Sequence, residues 1–281
     1  MKPLWRSMDA ETRAIAYSPS SALDGDLDPY IQGYVDKSAA AYAACPNVRS
    51  IGYGPRPSNT IDVIAPSSAS AVPLHVFIHG GYWQELSKNE SFFPAIDTLS
   101  RGMAFAAVDY TLAPDAGIDD IVEECCAALA RLAAGAGELG VDPKRIVVTG
   151  SSAGAHLAAM CCLKLPPHLR PSGAVLMSGI YELAPLLGTY VNEALGMDRE
   201  TTDRNSPALA DLGAFPKAVI SWGRQETDEF KRQSRYFAGL LAAAGRQVET
   251  LEMEARNHFD IVDDIANDTA LGKKLAALAG V

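Results

Sequence analysis

A serine flanked by glycines is the feature of this 281-residue sequence that points most clearly to chemistry. The run Gly150–Gly154 (GSSAG) directly follows the β-branched stretch Arg145–Thr149 and opens an apolar stretch of helical character. A serine on a sharp strand-to-helix turn presents its hydroxyl clear of the backbone, and that turn crowds the residues two before and two after it. The spacing therefore predicts Ser152 as a nucleophile, and a Gly/Ser-rich turn without chemistry is the alternative.

A second glycine-containing loop, His79–Trp83 (HGGYW), follows the apolar run of residues 73–78. Glycines allow the backbone to approach a carbonyl oxygen closely, and N–H groups aimed at that oxygen stabilise the anion formed during acyl transfer. The helix after Ser152 offers further N–H groups at its positively polarised end. We expect three backbone N–H groups to form this oxyanion hole, those of Gly81, Tyr82 and Ala153.

The side chains of the same loop have separate expected roles. His79 is interpreted as a structural residue whose ring bonds to nearby loop backbone rather than moving protons. Tyr82 and Trp83 are large aromatic residues that can pack in a core or line a substrate pocket. Both roles stay open for Tyr82 and Trp83, which are therefore candidate substrate-binding residues.

The base that activates such a serine is expected late in the chain, in a loop after the final strand. Of the five histidines, His258 fits this position, because it follows the strand-like stretch Val248–Met253 and precedes an apolar helical stretch. The other four are interpreted as strand, loop, packing or surface residues: His75, His79, His156 and His168. We predict His258 as the base, and a capping or solvent-exposed role is the alternative.

A carboxylate must hold the base in one tautomer and stabilise its positive form. The loop after the predicted strand Ala218–Trp222 lies between the serine and the histidine in chain order, where the acid is expected. It offers three carboxylates, those of Glu226, Asp228 and Glu229. The residues alone do not decide which of them is the acid.

Strand-like apolar runs that alternate with helical stretches must position these groups. Alternation over this length predicts an α/β fold, a mostly parallel central sheet of about eight strands with helices on both faces. We expect one domain over residues 1–281, with a short helical cap at 1–45 and a catalytic core at 46–281. The predicted strands are residues 48–53, 60–65, 73–79, 103–108, 145–149, 174–177, 218–222 and 248–253. The predicted helices are residues 118–139, 153–165, 229–244 and 270–278.

Composition excludes several classes of function. The formal net charge of −10 argues against a nucleic-acid partner, because no basic field is available to meet phosphates. No stretch of about 20 apolar residues predicts a membrane span, and the N-terminus lacks the apolar core of a signal peptide. Five cysteines without metal-ligand spacing are interpreted as reduced thiols of a cytoplasmic protein. We expect neither a metal nor an organic cofactor.

Five segments together resemble the kynurenine formamidase-like branch of the α/β-hydrolases, close to the hormone-sensitive-lipase-type esterases. They are HGGYW at 79–83, DYTLAP at 109–114, GSSAGAHLA at 150–158, EFKRQS at 229–234 and NHFDIV at 257–262. The resemblance implies Ser152 as nucleophile and His258 as base. It implies Glu226 as the acid, three residues after the glycine that ends the strand, where many members have aspartate. Asp228 stays as the alternative acid.

The resemblance also implies that the N-terminal segment caps the site, so that residues such as Trp5 and Tyr30 touch the substrate. The predicted function is a serine hydrolase that cleaves small carboxylic esters through an acyl-enzyme. An aryl formamidase acting on N-formylkynurenine-like amides is the first alternative, and a catalytically inactive binding protein of the same fold is the second. The expected partner is a small ester or amide, with no nucleic acid and no membrane, and a homodimer stays open as the oligomeric state.

Overall fold

An eight-stranded sheet forms the centre of the computed structural model, which describes residues 4–67, 70–266 and 268–281. The strands are β1 (Arg49–Gly52), β2 (Thr60–Ile64), β3 (Val72–Ile78), β4 (Ala104–Val108), β5 (Val141–Ser151), β6 (Gly173–Met177), β7 (Lys217–Gly223) and β8 (Val248–Met253). Their spatial order is β1-β2-β4-β3-β5-β6-β7-β8. β2 runs antiparallel to β1 and β4, and every neighbouring pair from β4 to β8 is parallel.

Helices cover both faces of this sheet. Those of the described residues are α1 (Ala10–Ala16), α2 (Asp28–Ala44), α3 (Ala95–Ser100), α4 (Ile118–Ala134), α5 (Ala153–Lys164), α6 (Val191–Leu195), α7 (Arg199–Arg204), α8 (Asp228–Ala243), α9 (Asp263–Ala266) and α10 (Ala270–Ala279). One apolar core contains buried residues of α4, α5 and α8, and the second contains buried residues of α2, α3 and α10. The predicted α/β-hydrolase architecture is confirmed.

Strand β3 shows how the sequence builds this three-layer arrangement. Leu74, Val76 and Ile78 belong to the core that contains α4 and α5, whereas Phe77 belongs to the core on the opposite face. Successive side chains of a strand point to opposite faces, so a continuous apolar run supplies both cores at once. Parallel strands of this kind end at a common edge, and that edge carries the groups considered below.

The structure differs from the sequence-based boundaries by more than one residue in two elements. The helix predicted over residues 118–139 ends at Ala134, and a separate 3₁₀ turn covers Ala136–Leu139. Glycine is a poor helix former, and Gly135 caps the helix end although the apolar period continues beyond it. β5 also begins at Val141, four residues before the predicted start, and it reaches Ser151.

The cap, defined here as Leu4–Ala44, contains α1, α2 and two 3₁₀ turns. Helix α2 is 17 residues long, and its buried Ala41 packs into the same core as Phe77. Among residues 4–67, 70–266 and 268–281, no helix combines the length and apolar character needed to cross a bilayer.

Candidate active site

The predicted nucleophile stands at a strained turn between β5 and α5. Ser152 has φ 56° and ψ −119°, a conformation that costs a non-glycine residue of order 1–3 kcal/mol. A side chain at Gly150 would collide with the carbonyl of Gly154, and one at Gly154 would collide with the carbonyls of Ile78 and His79. The two glycines are therefore required by close backbone approach, as the spacing in the sequence predicts.

The loop after β3 lies beside this turn, with Gly80 packed against the backbone carbonyl of Ser151. Gly81, Tyr82 and Trp83 have successive positive φ values of 91°, 50° and 61°. The N–H groups of Gln84 and Glu85 both donate to the carbonyl of Gly81 at 2.9 Å, which closes the loop into a compact turn. Such a run of left-handed backbone is rare outside glycine and is held by its surroundings.

Ala153, the third predicted oxyanion donor, is the first residue of α5. The first N–H groups of an α-helix have no acceptor within the helix, and they lie at its positively polarised end. Gly81, Tyr82 and Ser152 line a common cavity, and Ala153 follows the serine directly. The arrangement brings the three predicted donors to the neighbourhood of the serine hydroxyl.

Of the three carboxylates in the loop after β7, the predicted base pairs with that of Glu226. The Nδ1 atom of His258 lies 2.9 Å from Oε2 of Glu226, and both residues are about 5% exposed. The other carboxylate oxygen, Oε1, accepts hydrogen bonds from the hydroxyl of Ser178 at 2.6 Å and from the N–H of Gly223. A carboxylate accepts and does not donate, so Nδ1 carries the proton and Nε2 is left as the proton acceptor.

The alternative acid, Asp228, stands elsewhere. It is the first residue of α8, its side chain is 89% exposed, and its carboxylate pairs with Lys231 at 3.0 Å. A carboxylate at the first residue of a helix interacts favourably with the positively polarised N-terminal end of that helix. Its exposed ion pair adds little to the stability of the protein. The geometry therefore favours Glu226 over Asp228 as the partner of His258.

The third carboxylate of the loop, Glu229, belongs to a buried network that holds the cap. Its Oε2 atom accepts a hydrogen bond from the hydroxyl of Tyr17 at 2.6 Å and another from Arg232 at 2.9 Å. Arg232 also donates to Glu182 at 3.0 Å. Burial, together with the charge of Glu229, raises the pKa of the Tyr17 hydroxyl, which stays protonated. The EFKRQS segment thus anchors the N-terminal segment rather than supplying the acid.

The remaining buried histidines are held by structural contacts. The ring of His79 stacks on Tyr110 with centroids 4.1 Å apart, and its Nδ1 lies 3.0 Å from the carbonyl of Gly80. His156 bonds the carbonyl of Asn205 at 2.7 Å, and burial lowers its pKa to about 4. Burial also lowers the pKa of His75 to about 3. His75 and His156 are therefore neutral near pH 7.

A cavity of about 240 Å³ opens at this edge of the sheet, with Ser152 and His258 in its wall. Tyr82 lines it, as the prediction of a substrate-binding role requires. Of the two roles left open for Trp83, the structure shows core packing, because Trp83 is fully buried and is not among the residues that line the cavity. Its ring packs edge-on against the ring of His156 with centroids 5.1 Å apart, so the backbone turn sends the two neighbouring aromatic side chains to different places.

The cap closes one side of the cavity with residues that the sequence did not single out. They are Pro19, Ser20, Leu27, Ile31 and Tyr34. Trp5 and Tyr30, named from the resemblance, do not line the cavity. The hydroxyl of Tyr30 instead accepts a hydrogen bond from Asn257 at 2.8 Å. The period of α2 could have grouped Leu27, Ile31 and Tyr34 on one helical face, but nothing in the sequence says what that face contacts.

Ser178 is a further site residue that sequence reasoning missed. It follows β6 directly and has φ 51°, and its hydroxyl is fully buried against Glu226. A position immediately after a parallel strand was the available signal, because such positions meet at one edge of the sheet. Within the described segments, no group of three or more histidine, cysteine, aspartate or glutamate side chains is arranged to hold a metal ion.

The fold and the arrangement of the site are those of an α/β-hydrolase, and comparison with known proteins leads to the same class. A family model for the alpha/beta hydrolase fold matches residues 75–260, and the chain belongs to this family. Within it, the chain is related to the kynurenine formamidases. The kynurenine formamidase of Danio rerio is 32% identical over 288 aligned residues, which cover 96% of each chain.

Two solved structures show the same fold. A proposed thioesterase from Silicibacter sp. TM1040 superposes with a TM-score of 0.82 at 26% identity, covering 95% of this chain and 98% of that one. The thermostable carboxylesterase EstE1 from a metagenomic library gives a TM-score of 0.72 at 24% identity, covering 91% and 96%.

Proposed function

We propose that the protein is a serine hydrolase that cleaves small carboxylic esters through an acyl-enzyme, with Ser152, His258 and Glu226 as its catalytic triad. The observation that carries this proposal is the placement of a strained serine and a carboxylate-bound histidine in the wall of one cavity. The cavity is smaller than the range of about 300–1,000 Å³ typical of drug-sized ligands, which supports a small substrate.

The proposed reaction has two halves. His258 takes the proton of the Ser152 hydroxyl at Nε2 while Oγ attacks the carbonyl carbon, and Glu226 stabilises the imidazolium through Nδ1. The N–H groups of Gly81, Tyr82 and Ala153 hold the oxyanion. The leaving alcohol departs with the proton from His258, and water then repeats the sequence to release the acid and restore the serine.

An aryl formamidase is the second candidate, and the full-length similarity to kynurenine formamidase favours it. That similarity includes the cap, which supplies one wall of the cavity. The chemistry of the two candidates is the same acyl transfer, because the acyl group is formyl and the leaving group is an aryl amine instead of an alcohol.

Labelling and substrate assays on the purified protein test this proposal. We expect a fluorophosphonate probe to label the wild type at Ser152, and p-nitrophenyl acetate and butyrate to be hydrolysed faster than N-formylkynurenine. Ser152→Ala should abolish labelling and lower kcat by at least ~10⁴-fold. Ser172→Ala is the matched control, because its hydroxyl bonds the carbonyl of Ile146 away from the cavity.

Each other outcome has a distinct meaning. Full activity in Ser152→Ala would remove the serine from the mechanism. A strong preference for N-formylkynurenine would replace the ester proposal by the formamidase. A folded wild type that neither takes the probe nor hydrolyses either class of substrate would indicate a catalytically inactive binding protein.

A further inference from the structure

Two cysteines contact each other where helices α4 and α5 pack together. The Sγ atom of Cys126 on α4 lies 3.8 Å from the Sγ atom of Cys161 on α5, within hydrogen-bonding distance for sulfur. Both thiols are free. Because a disulfide bond is about 2.0 Å long, a combined movement of less than about 2 Å brings the two sulfur atoms to bonding distance.

The other three cysteines are placed differently, and all five lie in the described part of the chain. Cys45 belongs to the core on the opposite face of the sheet from Cys161. Cys125 and Cys162 are fully buried, and each is next in sequence to one member of the contacting pair. Burial raises the pKa of these three thiols, so they stay protonated and unreactive near pH 7.

The two contacting thiols differ in exposure and acidity, since Cys126 is partly exposed and Cys161 is fully buried. The Cys161 thiol lowers the pKa of the Cys126 thiol by hydrogen bonding to its sulfur. The nearby charge of Lys164 acts in the same direction, whereas partial burial and the charge of Glu123 oppose it. The same hydrogen bond, with burial, raises the pKa of Cys161. An accessible, more acidic thiol in contact with a second thiol is the arrangement that peroxides oxidise to a disulfide.

We propose that Cys126 and Cys161 form a modification site at which hydrogen peroxide converts the two thiols to a reversible disulfide between α4 and α5. The Cys126 thiolate attacks one peroxide oxygen, the O–O bond breaks, and the sulfur becomes a sulfenic acid while hydroxide leaves and takes up a proton. The sulfur of Cys161 then attacks the sulfenic sulfur, and its proton leaves with the departing hydroxide as water. The two thiols thus lose two electrons and two protons, and one peroxide is reduced to two waters.

The proposed bond would join α4 to the helix that begins directly after Ser152. Neither cysteine lines the cavity that contains the serine. The inference is therefore independent of the proposed function, and each can fail without the other.

Mass spectrometry of the full-length protein tests the site. The reduced, folded protein is treated with a small excess of hydrogen peroxide, free thiols are blocked with iodoacetamide, and tryptic peptides are analysed without reduction. We expect a linked pair of peptides, one containing Cys126 and the other Cys161, with the loss of two hydrogens and full reversal by dithiothreitol. A disulfide between two chains, or sulfinic acid without linked peptides, as the main product would overturn the inference.

Single variants assign the bond, because each linked peptide also contains an adjacent cysteine. Cys126→Ala and Cys161→Ala should abolish the linked peptides. Cys125→Ala and Cys162→Ala are the matched controls and should keep them, with circular dichroism checking that all four variants are folded. Linked peptides that persist in folded Cys126→Ala would overturn the assignment.

Dimedone, which reacts with sulfenic acids, tests the order of the two steps. In Cys161→Ala the sulfenic acid has no resolving thiol, so the dimedone adduct on Cys126 should be at least about tenfold more abundant than in the wild type. In Cys126→Ala and Cys126→Ser, free thiols should be lost to peroxide at least about tenfold more slowly than in the wild type, because the remaining thiols are buried. Equal rates in the wild type and in either folded variant would overturn the inference.

Discussion

The carboxyl edge of the parallel sheet and the N-terminal cap border the same cavity, but different interactions hold each of them in place. At the sheet edge, Ser152 and Ser178 follow directly on two neighbouring strands whose register fixes their separation, and Glu226 lies three residues after the end of the next strand. The cap has no strand, and it is held by side-chain contacts made from far away in the sequence, such as Tyr17 to Glu229. The groups of the proposed chemistry therefore reside on the sheet, whereas the cap contributes to the shape of the cavity.

The two regions are nevertheless connected at defined points. The hydroxyl of Tyr82, in the predicted oxyanion loop, donates to the carbonyl of Tyr17. The hydroxyl of Thr227, one residue after Glu226, donates to the carbonyl of Ala16 at 2.7 Å. Variants of the acid at the sheet edge, of the serine that contacts this acid and of the cap should have successively smaller effects on turnover.

The largest effect after loss of the serine is expected from the acid at the sheet edge. Glu226→Ala removes the carboxylate that orients His258, and we expect kcat/KM to fall by ~10³–10⁴-fold. Asp228→Ala changes an exposed side chain that pairs with Lys231, and it should stay within about twofold of the wild type. Steady-state kinetics on both variants checks this, and the reverse order would exchange the two assignments.

An intermediate effect is expected at Ser178, which contacts the acid and not the base. Ser178→Ala removes one of the two hydrogen bonds to Oε1 of Glu226, so that among these contacts Oε1 keeps only the N–H of Gly223, and Oε2 keeps His258. Because a hydrogen bond to a charged group contributes about 1.5–3 kcal/mol, we expect kcat to fall at least about tenfold with little change in KM.

Ser221→Ala is the matched control for Ser178. Its hydroxyl is equally buried and has no hydrogen-bond partner among the described residues. An unchanged kcat in Ser178→Ala, or an equal loss in Ser221→Ala, would show that the sheet edge does not depend on this contact.

The smallest effect is expected from the cap. Tyr30→Phe removes the hydroxyl that accepts a hydrogen bond from the side-chain amide of Asn257. The Oδ1 atom of the same amide accepts hydrogen bonds from the N–H groups of Phe259 and Asp260. The turn that carries His258 should loosen, and kcat/KM should fall by at most about fivefold, the equivalent of roughly 1 kcal/mol. Urea unfolding should show a loss of about 1 kcal/mol in the free energy of unfolding.

Tyr42→Phe provides the comparison for that variant. Tyr42 lies on the same helix, its hydroxyl donates to Asp62 at 2.8 Å, and it does not line the cavity. It should lose a similar amount of stability and keep its kcat/KM. Equal losses of activity in Tyr30→Phe and Tyr42→Phe would mean that the cap affects turnover only through overall stability.

The sequence by itself determined the fold class and the local shape of the nucleophile turn. Apolar runs that supply two cores at once predict buried parallel strands, and the glycines at 150 and 154 are needed wherever a strand turns sharply into a helix. Ser152 stands directly after a strand-like stretch and His258 lies in the loop after the last one, so both positions follow from local rules. These features depend on residues that are close to one another in the sequence, so they can be predicted from the sequence alone.

Tertiary structure alone decided which carboxylate His258 contacts and where the aromatic side chains of the loop lie. Glu226, Asp228 and Glu229 stand within four residues of one another, yet one binds the histidine, one is exposed and one holds the cap. Tyr82 and Trp83 are adjacent, yet only Tyr82 lines the cavity. The physical reason is that partners for these side chains come from segments as far as 212 residues away in the sequence. Neighbouring side chains point in different directions, so the fold decides which partner each one reaches.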